Sequence, residues 1–157
     1  MNGVVFSQNV VHKRMRRHIT APRVLLVGCP IDSGRQTYET RGGRIVALRP
    51  KLSSIDTLLQ QERKHFELIV DKIVALEPDV VLCEQRVARL AQELFLEKNI
   101  TLITHVKPHV MERIAYTTNT QILLSVDAEQ IASAQCGTAE RFFVQVSLTV
   151  DVDLSQR

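Results

Sequence analysis

Short apolar runs alternate with longer amphipathic stretches along this chain. Val24-Leu25-Leu26-Val27, introduced by Pro22, is a continuous run bounded by turn residues. Such a run predicts a strand buried on both faces. Val80-Val81-Leu82, Thr101-Leu102-Ile103 and Ile122-Leu123-Leu124 predict three more strands. Phe142 to Val146 predicts a final one, and Val4-Val5-Phe6 a short opening strand. Between them lie helical periodicities. Ile55, Leu58, Leu59, Phe66, Ile69, Val70 and Ile73 fall on one stripe, with Ser53 or Ser54 as cap and Pro78 as stop. Arg86 to Lys98 predicts a second helix, with Val87, Leu90, Ala91 and Leu94 inward and Asn99 as its stop. Pro108 suits the first turn of a third, carrying Val110, Met111 and Ile114.

Strands alternating with helices argue for an α/β core with a parallel component, and the terminal strands for a second, β-rich layer. Residues 35–50 differ from the rest. They place Arg35, Arg41, Arg44 and Arg49 around Gly42-Gly43, between Thr37-Tyr38 and Ile45-Val46. A Gly-Gly pair between β-formers signals a hairpin, because both glycines accept positive φ. We expect a single domain over residues 1–150, residues 35–50 as a protruding element, and 151–157 as a frayed tail.

The chain has 157 residues and is 45% hydrophobic, enough for one buried core and too little for two ordinary domains. Its net charge of +3 is too small to imply nucleic acid, so only local clustering can support an electrostatic partner. Cys29, Cys83 and Cys136 are scattered and odd in number, which argues against a disulfide framework or zinc site and for a reducing compartment. No apolar run reaches the roughly 20 residues of a membrane span. Met1 to Val11 lacks a signal-peptide pattern. The expectation is a cytoplasmic domain.

Catalytic signatures are missing. There is no phosphate-cradling glycine loop and no kinase Asp–Asn loop, so neither a catalytic residue nor a cofactor is expected. His105 and His109 straddle a turn with Glu112 one helical turn on. The trio has metal-ligand chemistry, but Pro108 splits the pair, and a polar loop leading into a helix explains it better. Asp79 and Glu84 flank a strand and read as surface caps. No metal is expected.

Several motifs, weak singly, resemble a known family in their order. Glu77-Pro78-Asp79-Val80-Val81-Leu82-Cys83-Glu84, Ala91-Gln92-Glu93, Ile100-Thr101-Leu102 and Glu112-Arg113-Ile114-Ala115 are similar to the apical domain of cytosolic chaperonins. His12-Lys13-Arg14-Met15, Leu52 through Glu62 and Val106-Lys107 through Ala115 bring the chain nearer to the chaperonin-like domain of phosphatidylinositol-3-phosphate 5-kinases. It departs from the pattern in its long basic Arg35–Leu48 segment, at Gln85, and at Asn119-Thr120. The resemblance implies an apical-type fold of β/α/β layers with a protruding tip. It also implies a non-catalytic regulatory domain of a larger, endosomal lipid kinase, docking a helical-repeat scaffold and a phosphatase. The alternative is the client-binding domain of a chaperonin subunit that assists protein folding.

Two surfaces are candidates for binding. Arg86, Arg89, Gln92, Glu93 and Glu97 should lie on the outer face of the second helix. They are too polar for a greasy client groove and fit a charged protein contact, or an ordinary solvated helix. Lys13, Arg14, Arg16 and Arg17, with Arg41 and Arg44, form a basic set that fits an acidic partner or anionic lipid, or a solvated loop. No aromatic residue interleaves the first cluster, which argues against nucleic acid.

Overall fold

A computed structural model describes residues 3–32 and 55–145, without the side chains of Ile55, Leu58 and Ala128. The expected protrusion at 35–50, the Ser53/Ser54 cap and the 151–157 tail lie outside the described residues. The elements are β1 (His18–Thr20), β2 (Arg23–Val27), α1 (Ile55–Val74), β3 (Val80–Cys83), α2 (Arg89–Glu97) and β4 (Thr101–Ile103), then α3 (Pro108–Thr118), β5 (Ile122–Leu123), α4 (Ala128–Ser133), β6 (Gly137–Thr138) and β7 (Arg141–Phe143).

The four apolar runs form a parallel sheet of order β4-β3-β2-β5. Leu25, Leu26, Val27, Val80 and Val81 are fully buried, as runs covered on both faces must be. Right-handed crossovers put α1 and α2 on one face. The return from β4 to β5 runs the other way and puts α3 on the opposite face. Phe66, Val70 and Ile73 of α1 and Ala91 and Phe95 of α2 fill the first layer; Met111 and Ile114 of α3 fill the second.

Helix ends follow the sequence with small shifts. α2 starts at Arg89 rather than Arg86, because Val87 is held extended in a bridge to Ile31. Asn99, at φ 59°, ends the α2 turn: its N–H donates to Leu96 O and that of Ile100 to Phe95 O. Asn119 repeats the device after α3, at φ 51°, with Thr120 N donating to Ala115 O. Asparagine tolerates this left-handed position better than most residues. Leu59 is exposed and Leu90 only half-buried, so both contribute less to the core than their periodicity suggests.

The terminal β-layer differs from the one predicted. Val4 to Phe6 is not a strand; β1 at residues 18–20 takes that role, and α4 and β6 occupy what reads as a polar loop. Residues 17–24 and 137–144 run antiparallel in one register. Val24 faces Gly137 and Arg23 faces Thr138 in the main sheet. Ala139 N then donates to Pro22 O and Ala21 N to Glu140 O. Thr20 faces Arg141, Ile19 faces Phe142 and His18 faces Phe143, and Val144 N donates to Arg17 O. The two sheets are thus one ribbon, bent at Ala21, whose φ is 50°. Gly137 is needed at the joint with α3: a Cβ there would come within 2.7 Å of Thr118 Oγ1 and Cβ.

The amino-terminal segment closes the sheet's free edge. Val11 N donates to Leu102 O, Leu102 N to Met15 Sδ and Thr101 Oγ1 to Arg16 O. An exposed edge strand invites unwanted pairing, and this cover removes the opportunity. Asp79 ties the strands together at their starts. Its N–H donates to Arg23 O, its carbonyl accepts from Thr101 N, and its carboxylate accepts from Arg23 N at 2.9 Å and Arg16 Nη2 at 3.4 Å.

Replacing Asp79 with Ala leaves the Arg23 amide and the Arg16 guanidinium without their acceptor. Hydrogen bonds to charged groups contribute about 1.5–3 kcal/mol. Urea denaturation should therefore show a loss of about 2 kcal/mol at unchanged slope, with Asp79→Asn losing less. A change below about 0.5 kcal/mol, the usual range for surface substitutions, would refute the staple.

Candidate interaction surfaces

The candidate residues of the second helix separate on the structure. Arg89, Glu93 and Glu97, four apart, share its outer face and are exposed. Arg89 Nε lies 3.4 Å from Glu93 Oε1. Gln92 turns back, and its Nε2 donates to Val87 O at 2.9 Å, serving the helix entry. Arg86 precedes the helix and pairs with Asp32 at 2.6 Å, tying the end of β3 to the loop after β2.

The groove between α1 and α2 is internally charge-balanced. Arg63 pairs with Glu67 at 2.9 Å, and Lys98 Nζ lies 3.4 Å from Asp71. The guanidinium of Arg63 is held above its ordinary range chiefly by its hydrogen bond to Glu67, and further by Glu97 and Glu93 across the groove. Exposed pairs of this kind contribute little to stability, so their value lies in the pattern they present. Among the described side chains of α1, the exposed large apolar ones are Leu59 and Leu68, 54% and 61% accessible.

The basic set also divides. Lys13, Arg14 and Arg17 are exposed. Arg16 is not part of a free patch, because Asp79 and the carbonyl of Asn99 engage its guanidinium. Arg41 and Arg44 lie outside the described residues. His105 bonds Thr104, while His109 and Glu112 are exposed. No group of three or more His, Cys, Asp or Glu side chains among the described residues is placed to hold a metal.

Two features have no clear sequence signal. One is a cleft of about 580 Å³ between the ribbon, α3 and the sheet, floored by Val24, Val80 and Leu82 and rimmed by Phe6, Tyr116 and Phe143. Tyr116 is 90% accessible, outside the apolar stripe of α3. The other is the outward alternation of the ribbon: Arg141 and Phe143 face out while Phe142 is partly covered. The consecutive phenylalanines conceal that period of two.

The thiols lie at the sheet's margins. Burial pushes Cys83 far above the ordinary thiol range, with a smaller push from Cys29. Burial also raises Cys29 and Cys136; hydrogen bonding to its own backbone opposes the rise at Cys29, and the charge of Arg23 opposes it at Cys136. A thiol with a raised folded-state pKa stabilises below the ordinary thiol range, and that contribution is lost as pH rises above it. The native chain should therefore lose stability above about pH 8.5, and Cys83→Ala should flatten that slope. Thiol-reactive dye should label Cys83 only after unfolding. Rapid labelling of native Cys83 would contradict its burial.

Comparison with known proteins bears on the family and the fold. The model of the TCP-1/cpn60 chaperonin family matches residues 1–151. A 1-phosphatidylinositol-3-phosphate 5-kinase of Arabidopsis thaliana is 38% identical over 145 residues, 92% of this chain and 8% of the kinase. The human 1-phosphatidylinositol 3-phosphate 5-kinase is 34% identical over 146 residues, 93% of this chain and 6% of the kinase. T-complex protein 1 subunit gamma of Thalassiosira weissflogii is 31% identical over 138 residues, 88% of this chain and 24% of that subunit. Among solved structures, the open-state monomer of a group II chaperonin from Methanococcoides burtonii superimposes with a TM-score of 0.66 at 18% identity, covering 94% of this chain and 29% of that one. The α/β chaperonin fold expected from the sequence is therefore the fold observed.

Proposed function

The chain belongs to the TCP-1/cpn60 chaperonin family, and from that premise we propose that it is a non-catalytic interaction domain of a lipid kinase resembling phosphatidylinositol-3-phosphate 5-kinases. The observation that carries this reading is one of proportion. Similarity runs over 92% of the chain yet covers 8% of the Arabidopsis kinase, as for one module of a much larger enzyme. The parent protein, on this reading, is cytoplasmic and meets endosomal membranes peripherally. No helix among the described residues is long and apolar enough to cross a membrane.

The working surface in this reading is the α1–α2 face, and its occupant is the helical-repeat scaffold that the resemblance implies. Arg89, Glu93 and Glu97 give that face charge of both signs, which selects a partner by complementarity more than by apolar burial. A second reading, a client-binding chaperonin domain, draws on the T-complex relative. The charge-balanced groove supports it less well, because holding unfolded clients requires contiguous apolar surface.

Exchanging the charges with Arg89→Glu and Glu93→Lys keeps an oppositely charged pair four residues apart, while the partner meets a reversed pattern. Calorimetric titration against the scaffold should show affinity reduced about tenfold or more, with melting temperature unchanged. Unaltered affinity would remove this face from consideration. Suppression of aggregation of an unfolded client would favour the second reading.

The chain should neither hydrolyse ATP nor phosphorylate phosphatidylinositol 3-phosphate by itself. Turnover that survives repurification would overturn the non-catalytic assignment.

A further inference from the structure

We propose that the free edge of β7 accepts an extended peptide segment of another protein as an added strand, and that this segment sets an acid opposite Arg141 and an apolar residue opposite Phe143. The site lies on the α3 side of the main sheet, away from the α1–α2 face, and does not depend on the lipid-kinase reading.

The first observation is an unpaired main chain. Val144 N donates to Arg17 O and Ala21 N to Glu140 O, in register with Ile19 facing Phe142. An antiparallel ladder alternates, so the N–H and C=O groups of Arg141 and Phe143 point away from β1. Among the described residues nothing bonds them. The β4 edge of the main sheet is covered by the amino-terminal segment, as edges usually are. No described segment pairs with the β7 edge in the same way.

The second is the cleft beside that edge. Every residue from Thr138 to Phe143 lines it and none from Arg17 to Pro22 does, so it lies on the side of β7 that β1 does not occupy. Val24, Val80, Leu82 and Ile114 supply its apolar surface. Unpaired main-chain groups beside an apolar recess are what an added strand uses, the first for affinity and the second for side-chain selectivity. A small molecule or a helix offers no matching row of main-chain donors and acceptors.

The third is charge. Arg141 is exposed, faces the uncharged Thr20 across the ribbon, and forms no ion pair among the described residues. Glu140, next in sequence, alternates to the other face of the arm. Opposite charges directly across two strands attract, so an acid on the added strand completes the pair that the ribbon leaves open. A second copy meeting β7 edge to edge would set Arg141 opposite Ala139, Arg141, Phe143 or Gln145, none of them acidic.

The probe is the capped peptide acetyl-Leu-Val-Asp-Val-Thr-amide, whose antiparallel alignment sets Leu opposite Phe143 and Asp opposite Arg141. Amide hydrogen exchange of the full chain is followed by NMR with and without it. In the chain alone, the Arg141 and Phe143 amides should exchange quickly and that of Val144 slowly. Millimolar peptide should slow both, while the His18 and Thr20 amides on the other edge of the ribbon stay fast. Methylating the peptide's Asp nitrogen should abolish binding, because it removes a donor to the β7 edge. Exchanging that Asp for Lys should weaken binding roughly fivefold. Arg141→Glu should reverse the preference between the two peptides, with melting temperature followed in parallel. The peptide variants leave the protein unchanged, so the test stands even if Arg141→Glu does not fold. Unaltered exchange at Arg141 and Phe143 in millimolar peptide, or equal binding of the methylated peptide, would overturn the proposal. So would slow exchange of both amides in the chain alone, which would mean that another part of the chain or a second copy already fills the edge; sedimentation equilibrium separates those two.

Discussion

Three parallel strands and the segment that covers their edge all meet at Asp79. Its peptide group bonds β2 on one side and β4 on the other, and its carboxylate holds the Arg23 amide and the Arg16 guanidinium. The layers above and below the sheet depend on that alignment, because a strand slipped by one residue would turn its apolar set away from its helices. Arg16 illustrates the cost of such a joint. Its Nε is buried without a partner, while Nη2 serves both Asp79 and the carbonyl of Asn99.

The parallel core was legible because burial on both faces leaves a plain mark. Val24 to Val27 and Val80 to Cys83 are uninterrupted apolar runs, and nothing else of that length suits a strand bounded by turns. The stripe carrying Phe66, Ile69, Val70 and Ile73 was equally plain. The terminal β-layer was not. His18 to Thr20 is polar at two of three positions, since the ribbon is covered on one side only, and three residues are too few for alternation to register. The Arg86 boundary misled for a related reason. Val87 satisfies helical periodicity, but its long-range bridge to Ile31 takes precedence over local preference.

The candidate surfaces were legible as compositions and not as geometries. Six basic and histidine side chains around Met15 form an obvious cluster in one dimension. Only the fold shows that Arg16 bonds an acid 63 residues away, while Arg141 comes to face Thr20 on the ribbon. Gln92 looked like a contact residue and instead serves its own helix entry. Polar side chains of the same type thus divide between building the domain and facing outward, and sequence periodicity alone does not separate them.

The unbroken register of the bent ribbon constrains how this domain can vary. From Arg17 facing Val144 to Val24 facing Gly137, each step along one arm is matched by one step back along the other. Loss or gain of a single residue in either arm would rotate every side chain beyond it, bringing Phe142 outward and Phe143 inward. Length changes in this region are therefore tolerable only as compensated pairs, or at a bulge that absorbs the extra residue. Insertions should accumulate in connections outside the ribbon, and the two arms should lengthen or shorten together across lineages.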